Sequence, residues 1–180
     1  LYTPAVDALR RAVEYLPENH SLQCALANAM WRANLKDAAT ATLNRAQETG
    51  DLNAQQWNAV GAVWVMMENP TLAVSAYEKA LRLEPDDVPS RLHLATALQV
   101  FGNTKRAVTE YQAVLKSQPH HQSATNNLAW IYATSADASV RNGTEAVRLA
   151  QQVCHATKRR SPSAMDTLAA AYAEVGEHDK

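Results

Sequence analysis

The chain of 180 residues carries five glycines, one phenylalanine and 47% hydrophobic residues, with a formal net charge of −1. Scarce glycine beside abundant alanine and straight-chain residues favours an all-helical protein over a sheet protein. The near-neutral balance leaves no electrostatic footprint for nucleic acid or an anionic membrane, and the longest apolar run, residues 59–67, falls far short of the ~20 residues that cross a bilayer.

In chain order, residues 1–19 read as one helix with Ala5, Leu9 and Ala12 on a single face, closing at Pro17. A helix pair follows over 20–53: Leu26-Ala27 and Met30 in the first helix, a turn at Asn34, then Ala39, Leu43 and Ala46 before Asp51. The stretch 54–87 is the clearest copy. Trp57, Val60, Gly61 and Trp64 fall at i, i+3, i+4 and i+7, one stripe of a helix. Asn69-Pro70 then breaks and restarts the chain, Asn suiting an N-cap and Pro the first helical position. Ala73, Ala76, Tyr77 and Ala80 form the second stripe, and Pro85 ends it. Over 88–121 the same order returns as Leu94-Ala95, Leu98, Gly102-Asn103, Ala107, Tyr111, Val114 and Pro119. Over 122–161, Leu128-Ala129 and Tyr132 lead into ATSADASVRNGTE, a connection about five residues longer than its counterparts. Asp137 is expected to cap a turn there, and Asn142-Gly143 to restart a helix holding Ala146, Ala150 and Val153. Residues 162–180 open once more with Leu168-Ala169 and Tyr172, followed by Gly176.

Leu26, Val60, Leu94 and Leu128 stand at steps of 34, each followed by Ala or Gly, and the second-helix columns keep the same step. Small residues belong where two helices approach closely, and bulky ones between successive pairs. Two such helices cannot bury their apolar faces alone, so neighbours of the same kind are required. These columns resemble the tetratricopeptide repeat, whose pattern sets Trp, Leu, Gly and Tyr in a first helix and Ala, a large aromatic, Ala and Pro in a second. The copy at 54–87 carries Trp57, Gly61, Ala73, Tyr77, Ala80 and Pro85 of that pattern. The resemblance covers essentially the whole chain. It implies an all-α, right-handed superhelical solenoid of antiparallel helix pairs, with a concave face built mainly by the first helices.

The expected layout is a single array over 1–180. Residues 1–19 form the second helix of a truncated repeat, full repeats occupy 20–53, 54–87, 88–121 and 122–161, and 162–180 is the first helix of another. Both ends read as cuts in a longer array. The segment NNLAWIYATSADASVRNG followed by DTLAAAYAEVGEHDK resembles a subtype common in large bacterial repeat proteins, which implies a bacterial source.

The sequence holds no phosphate-cradling Gly loop, HExxH, Gly-x-Ser-x-Gly elbow or Cys-x-x-Cys pair, so neither catalysis nor a cofactor or metal is expected. Of His20, His93, His120, His121, His155 and His178, only His120-His121 are adjacent, and they read as solvated loop residues after Pro119. Cys24 and Cys154 are too few for a disulfide framework and read as structural thiols. Lys158-Arg159-Arg160 reads first as a cationic helix C-terminus, with docking of an acidic partner or phosphate as the alternative.

Binding is better argued from the first-helix positions outside the packing columns. The candidates are Asn28, Trp31, Arg32, Asn58, Gln99, Asn126, Asn127 and Trp130, flanked by Met66, Leu92, Thr96, Thr134 and Asp166. Trp57 and Trp64 fit the packing columns and are expected in the core. Trp31 and Trp130 do not, which makes them candidate anchors, since aromatics dominate binding hot spots. Asn126 and Asn127 could hold an extended peptide by its backbone, each amide both donating and accepting. Cys24, Asn58, Leu92 and Asn126 stand where the carboxylate-gripping relatives among cochaperones begin their set with Lys, and the Asn ladder of the sugar-transferring relatives is also absent. The function implied is a non-catalytic scaffold that binds a partner peptide or helix in the concave groove, without nucleic acid and without membrane insertion. The alternative is a regulatory or substrate-presenting arm of a larger bacterial enzyme or envelope/exopolysaccharide export protein. Apolar ends of the array would also favour self-association.

Overall fold

The computed structural model describes residues 3–48 and 52–176; Asp51 and His178 lie outside them. The described residues form ten α-helices: α1 (Thr3–Tyr15), α2 (His20–Arg32), α3 (Lys36–Glu48), α4 (Ala54–Met66), α5 (Pro70–Leu83), α6 (Val88–Val100), α7 (Thr104–Ser117), α8 (Gln122–Thr134), α9 (Gly143–Ala156) and α10 (Pro162–Glu174). They pack in consecutive pairs, and none is long and apolar enough to cross a membrane. The chain divides into two compact units, Leu1–His93 and Leu94–Lys180. In the first, α2 packs on α3, α4 on α5, and α2 also meets α1 and α4; in the second, α8 packs on α7, α9 and α10, and α10 on α9.

The starts of α2, α4, α6 and α8 follow one rule. Asn19 accepts the Leu22 N–H, Asn53 the Gln56 N–H and Asp87 the Ser90 N–H. His121 accepts the Ala124 N–H through Nδ1 at 3.2 Å. These four stand 34 residues apart and each opens a first helix, satisfying a donor the helix would otherwise orphan. Asn53 adds a reciprocal box, its own N–H donating to Gln56 Oε1 at 2.8 Å. The expectation for His121 is thereby corrected: it is a half-buried cap rather than a solvated loop residue.

The ends of α2, α4 and α6 are as regular. Asn34, Glu68 and Gly102 adopt φ of 64°, 54° and 83°. The following N–H reaches back to the carbonyl of Met30, Trp64 or Leu98, the bulky column of each repeat. This is a left-handed helix stop. The expectation at Asn69-Pro70 holds, Asn69 capping α5 on the Leu72 N–H and Pro70 opening the helix, while Glu68 just before them takes the left-handed place.

The packing columns are buried. Leu26-Ala27, Val60-Gly61, Leu94-Ala95 and Leu128-Ala129 are all in the core, as are Ala39, Leu43, Ala46, Ala73, Tyr77, Ala80, Ala107, Tyr111 and Val114. Ala5 and Ala169, on the first and last described helices, are exposed. At Gly61 the approach is closest, for a Cβ there would lie 2.7–2.9 Å from the Tyr77 ring carbons. Trp64 is buried at 2% exposure. Trp57 departs from the expected core place: it is half-buried, and Lys79 Nζ from α5 lies 3.9 Å from its ring centroid, a contact that keeps the ring at the helix–helix seam.

Candidate functional site

In the first unit, Asn28 and Arg32 pair along α2, Arg32 Nε donating to Asn28 Oδ1 at 3.0 Å. Trp31 is half-buried, with Lys36 Nζ 5.0 Å from its ring centroid. Asn58 is committed to α6: its Nδ2 donates to Ser90 Oγ at 2.8 Å, and its Oδ1 lies 2.7 Å from His93 Nδ1. His93 in turn leans on the Tyr77 ring, centroids 5.9 Å apart. A residue read as facing a ligand thus braces one helix on the next.

In the second unit, Gln99 and Asn127 converge on one buried hydroxyl. Tyr111 Oη donates to Gln99 Oε1 at 2.8 Å and accepts from Asn127 Nδ2 at 3.0 Å. With its single hydrogen spent on Gln99, it also accepts from Thr96 Oγ1 at 3.1 Å. Burial raises the Tyr111 pKa, against the lowering effect of the Thr96 and Asn127 hydrogen bonds. Such a network is strong because each member is satisfied in a low-dielectric site.

Asn126 and Trp130 differ. They sit one turn apart on the same face of α8. Asn126 Oδ1 is buried and has no hydrogen-bond partner. Trp130 is 40% exposed, against 2% for the packing Trp64. Beside Asn126 lies a recess of about 180 Å³ lined by Gln122, Ser123, Asn127, Thr157, Ser161 and Ser163 among others. Its polar side chains are hydroxyls and amides without a charge, which suit neutral hydrogen-bonding groups such as peptide amides. Sequence reasoning put Asn126 and Asn127 together as equals; the structure separates them, one paired inside and one unpaired.

The remaining candidates add no reactive group. Among the described residues no three His, Cys, Asp or Glu cluster as metal ligands. Cys24 and Cys154 are free and buried. Burial pushes the Cys24 thiol up to about 11 and also raises Cys154, against the opposing charge of Arg159; a buried thiol so shifted is a poor nucleophile. Lys158, Arg159 and Arg160 are exposed beyond the end of α9, with left-handed φ of 50° at Lys158 and 57° at Arg159.

Comparison with known proteins fits this geometry. The tetratricopeptide repeat family model matches residues 65–131. The general transcriptional corepressor ssn6 of Schizosaccharomyces pombe is 27% identical over 128 residues, 71% of this chain and 11% of that protein. Tetratricopeptide repeat protein 17 of Rattus norvegicus is 32% identical over 96 residues, 51% of this chain and 8% of that protein. The chain thus spans only a small part of the curated relatives it matches. Among solved structures, PilW, a widely conserved type IV pilus biogenesis factor, superposes with a TM-score of 0.74 at 17% identity, covering 98% of this chain and 79% of PilW. YrrB, a TPR protein with an unusual peptide-binding site, superposes with a TM-score of 0.53 at 19% identity, covering 98% and 79%. Helix pairs with small-on-large seams at one period, the same fold in these solved structures and the family match over residues 65–131 give the chain a tetratricopeptide-repeat-like fold.

Proposed function

We propose that the chain is a non-catalytic protein-interaction module that grips a partner peptide or helix on its first-helix faces, with Asn126 and Trp130 as the principal contacts. The observation that carries this reading is the pair on α8: a buried carboxamide oxygen without a partner, one turn from a tryptophan left 40% exposed. An unsatisfied buried acceptor costs about 1–3 kcal/mol, which a ligand N–H placed against it recovers. The neighbouring indole offers an amphipathic surface for an apolar side chain. Trp31, Asn28 and Arg32 offer a similar, more covered surface on α2. Asn58, Gln99 and Asn127 support the reading differently, by holding the helices rigid rather than by presenting spare groups.

The test is a peptide selected against the wild-type chain from a displayed random library, titrated against Trp130→Ala and Trp31→Ala. Trp130→Ala should weaken binding at least about tenfold while the melting temperature stays within about a degree, because an exposed ring contributes little to the fold. A fall of several degrees with unchanged affinity would return Trp130 to a structural role.

A second reading, an arm of a larger protein such as a bacterial enzyme or envelope export component, draws on the small share of its relatives that this chain spans, 11% of the corepressor and 8% of the rat protein. Immunoblotting of the native source separates the two. A product near 19.7 kDa supports a free adaptor, and one several times larger supports the arm.

A further inference from the structure

The long connection between α8 and α9 forms one wall of a cavity. Together with α7 and the end of α8 it borders an open recess of about 360 Å³, lined by Lys105, Val108, Tyr132, Ser139, Val140, Arg141 and Asn142. Its size falls within the ~300–1,000 Å³ common for ligand pockets. The connection itself is ordered by its own hydrogen bonds. Asp137 accepts from the Ser139 N–H and hydroxyl, the Asn142 N–H donates to the Tyr132 carbonyl, and Arg141 Nη1 donates to the Ser135 carbonyl at 3.3 Å.

The chemistry of the lining is one-sided. Lys105 Nζ uses one of its three N–H groups on Asp137 at 2.9 Å. Arg141 turns Nε towards Glu174 Oε1 at 3.3 Å, leaving Nη2 unspent. Asn142 Oδ1 accepts the Glu145 N–H, which leaves its NH₂ group. The Tyr132 hydroxyl accepts from Gln112 and keeps its own hydrogen. The groups left over are therefore chiefly donors, two of them cationic, while Asp137 and Glu174 stand outside the lining. Both ion pairs are solvent-accessible, with side-chain exposures of 69% and 43% for Lys105 and Asp137 and of 40% and 33% for Arg141 and Glu174. Exposed pairs of this kind hold their charges weakly, so both cations can turn to an incoming anion. Val108 and Val140 supply an apolar wall.

We infer that this cavity is a second docking point, built by the insertion, for a glutamate side chain of a partner polypeptide. The carboxylate lies between Lys105 and Arg141, the latter suited to hold it in a charge-assisted pair, and the aliphatic stem lies against Val108 and Val140. That the occupant is a polypeptide rests on the interaction-module reading; the carboxylate chemistry does not.

The test uses the whole chain labelled with nitrogen-15 and titrated, at low salt and constant ionic strength, with acetyl-Ala-Ala-Glu-Ala-Ala-amide. The glutamine analogue and sodium glutarate are run in parallel. The expected result is saturable shifts of the Lys105 amide and those of residues 139–142. Binding should be weakened about tenfold or more by the glutamine analogue, by Lys105→Gln and by Arg141→Gln. Lys105 is the more exposed of the two, so its variant reads out binding even if Arg141→Gln disturbs the connection. Equal shifts from the glutamine peptide, or no response to either variant, overturn the carboxylate site. Binding of glutarate without the peptide overturns the polypeptide occupant. Trp130→Ala should leave this titration unchanged, so failure here is separable from failure of the α8 face.

Discussion

Replacing Gly61 by alanine sets two effects of opposite sign against each other, and the structure decides between them. In the interior of a helix alanine is favoured over glycine by about 1 kcal/mol. Against this, the added methyl would lie 2.7 Å, 2.8 Å and 2.9 Å from Cε1, Cδ1 and Cζ of Tyr77, where carbon atoms rest at about 3.5–4.0 Å. Tyr77 is 3% exposed, so its ring has little room to retreat, and overpacking of this kind costs about 1–3 kcal/mol. The net expectation for Gly61→Ala is a loss of up to about 2 kcal/mol. At the equivalent positions Ala27 with Leu43 and Ala95 with Tyr111 are all buried, so alanine occurs in this seam and the conflict at Gly61 lies in where the Tyr77 ring sits. In a Tyr77→Leu background Gly61→Ala should therefore become stabilising by about 1 kcal/mol, the propensity alone. Urea unfolding followed by circular dichroism, with amide exchange in α4 because repeat arrays can open in parts, completes the cycle. The same change in both backgrounds would refute the close-contact argument.

Other consequences are equally open to measurement. Glu68 holds φ 54° at a helix stop and is exposed, so Glu68→Gly should raise stability by up to about 1 kcal/mol in urea unfolding while Glu68→Ala changes little. His121→Ala removes a cap and should cost about 1 kcal/mol, whereas His121→Asn should keep it, read by protection of the α8 amides. The Asp137 carboxyl is lowered from its ordinary 3.8 to about 2, chiefly by the Ser139 side-chain hydrogen bond and then by Lys105. With the folded pKa below the unfolded one, its contribution to stability is present above 3.8 and is lost as pH falls through about 2. Carboxyl carbon titration should find that midpoint in the wild type and a higher one in Ser139→Ala; an unchanged midpoint would remove Ser139 as the cause.

The all-helical fold was legible because its determinants are local and periodic. A small residue before a bulky one marks each helix seam, so Leu26-Ala27, Val60-Gly61, Leu94-Ala95 and Leu128-Ala129 announce a buried contact without any knowledge of the partner. The cap column at Asn19, Asn53, Asp87 and His121 is equally periodic but less legible, since histidine is not a common cap and its Nδ1 serves only when unprotonated. The left-handed stop at Glu68 was masked by Asn69-Pro70, a stronger turn signal one residue later.

The candidate site was less legible. Asn58, Gln99 and Asn127 look like ligand-facing amides in the sequence, yet their hydrogen bonds go to His93, Tyr111 and Tyr111, at sequence separations of 35, 12 and 16. No local pattern encodes which amide finds such a partner and which, like Asn126, is left without one. The recess under the long α8–α9 connection is not legible either, because it depends on how residues 139–142 come to lie beside α7.

The central claim is that the unpaired Asn126 oxygen receives a hydrogen bond from a bound partner's backbone. Its most direct test is an N-methyl scan of the selected peptide, each backbone N–H replaced in turn, with Kd measured on the wild type and on Asn126→Ala. The account predicts one position where methylation weakens binding about tenfold or more on the wild type and has no effect on Asn126→Ala. A scan in which the two proteins respond alike at every position would contradict it.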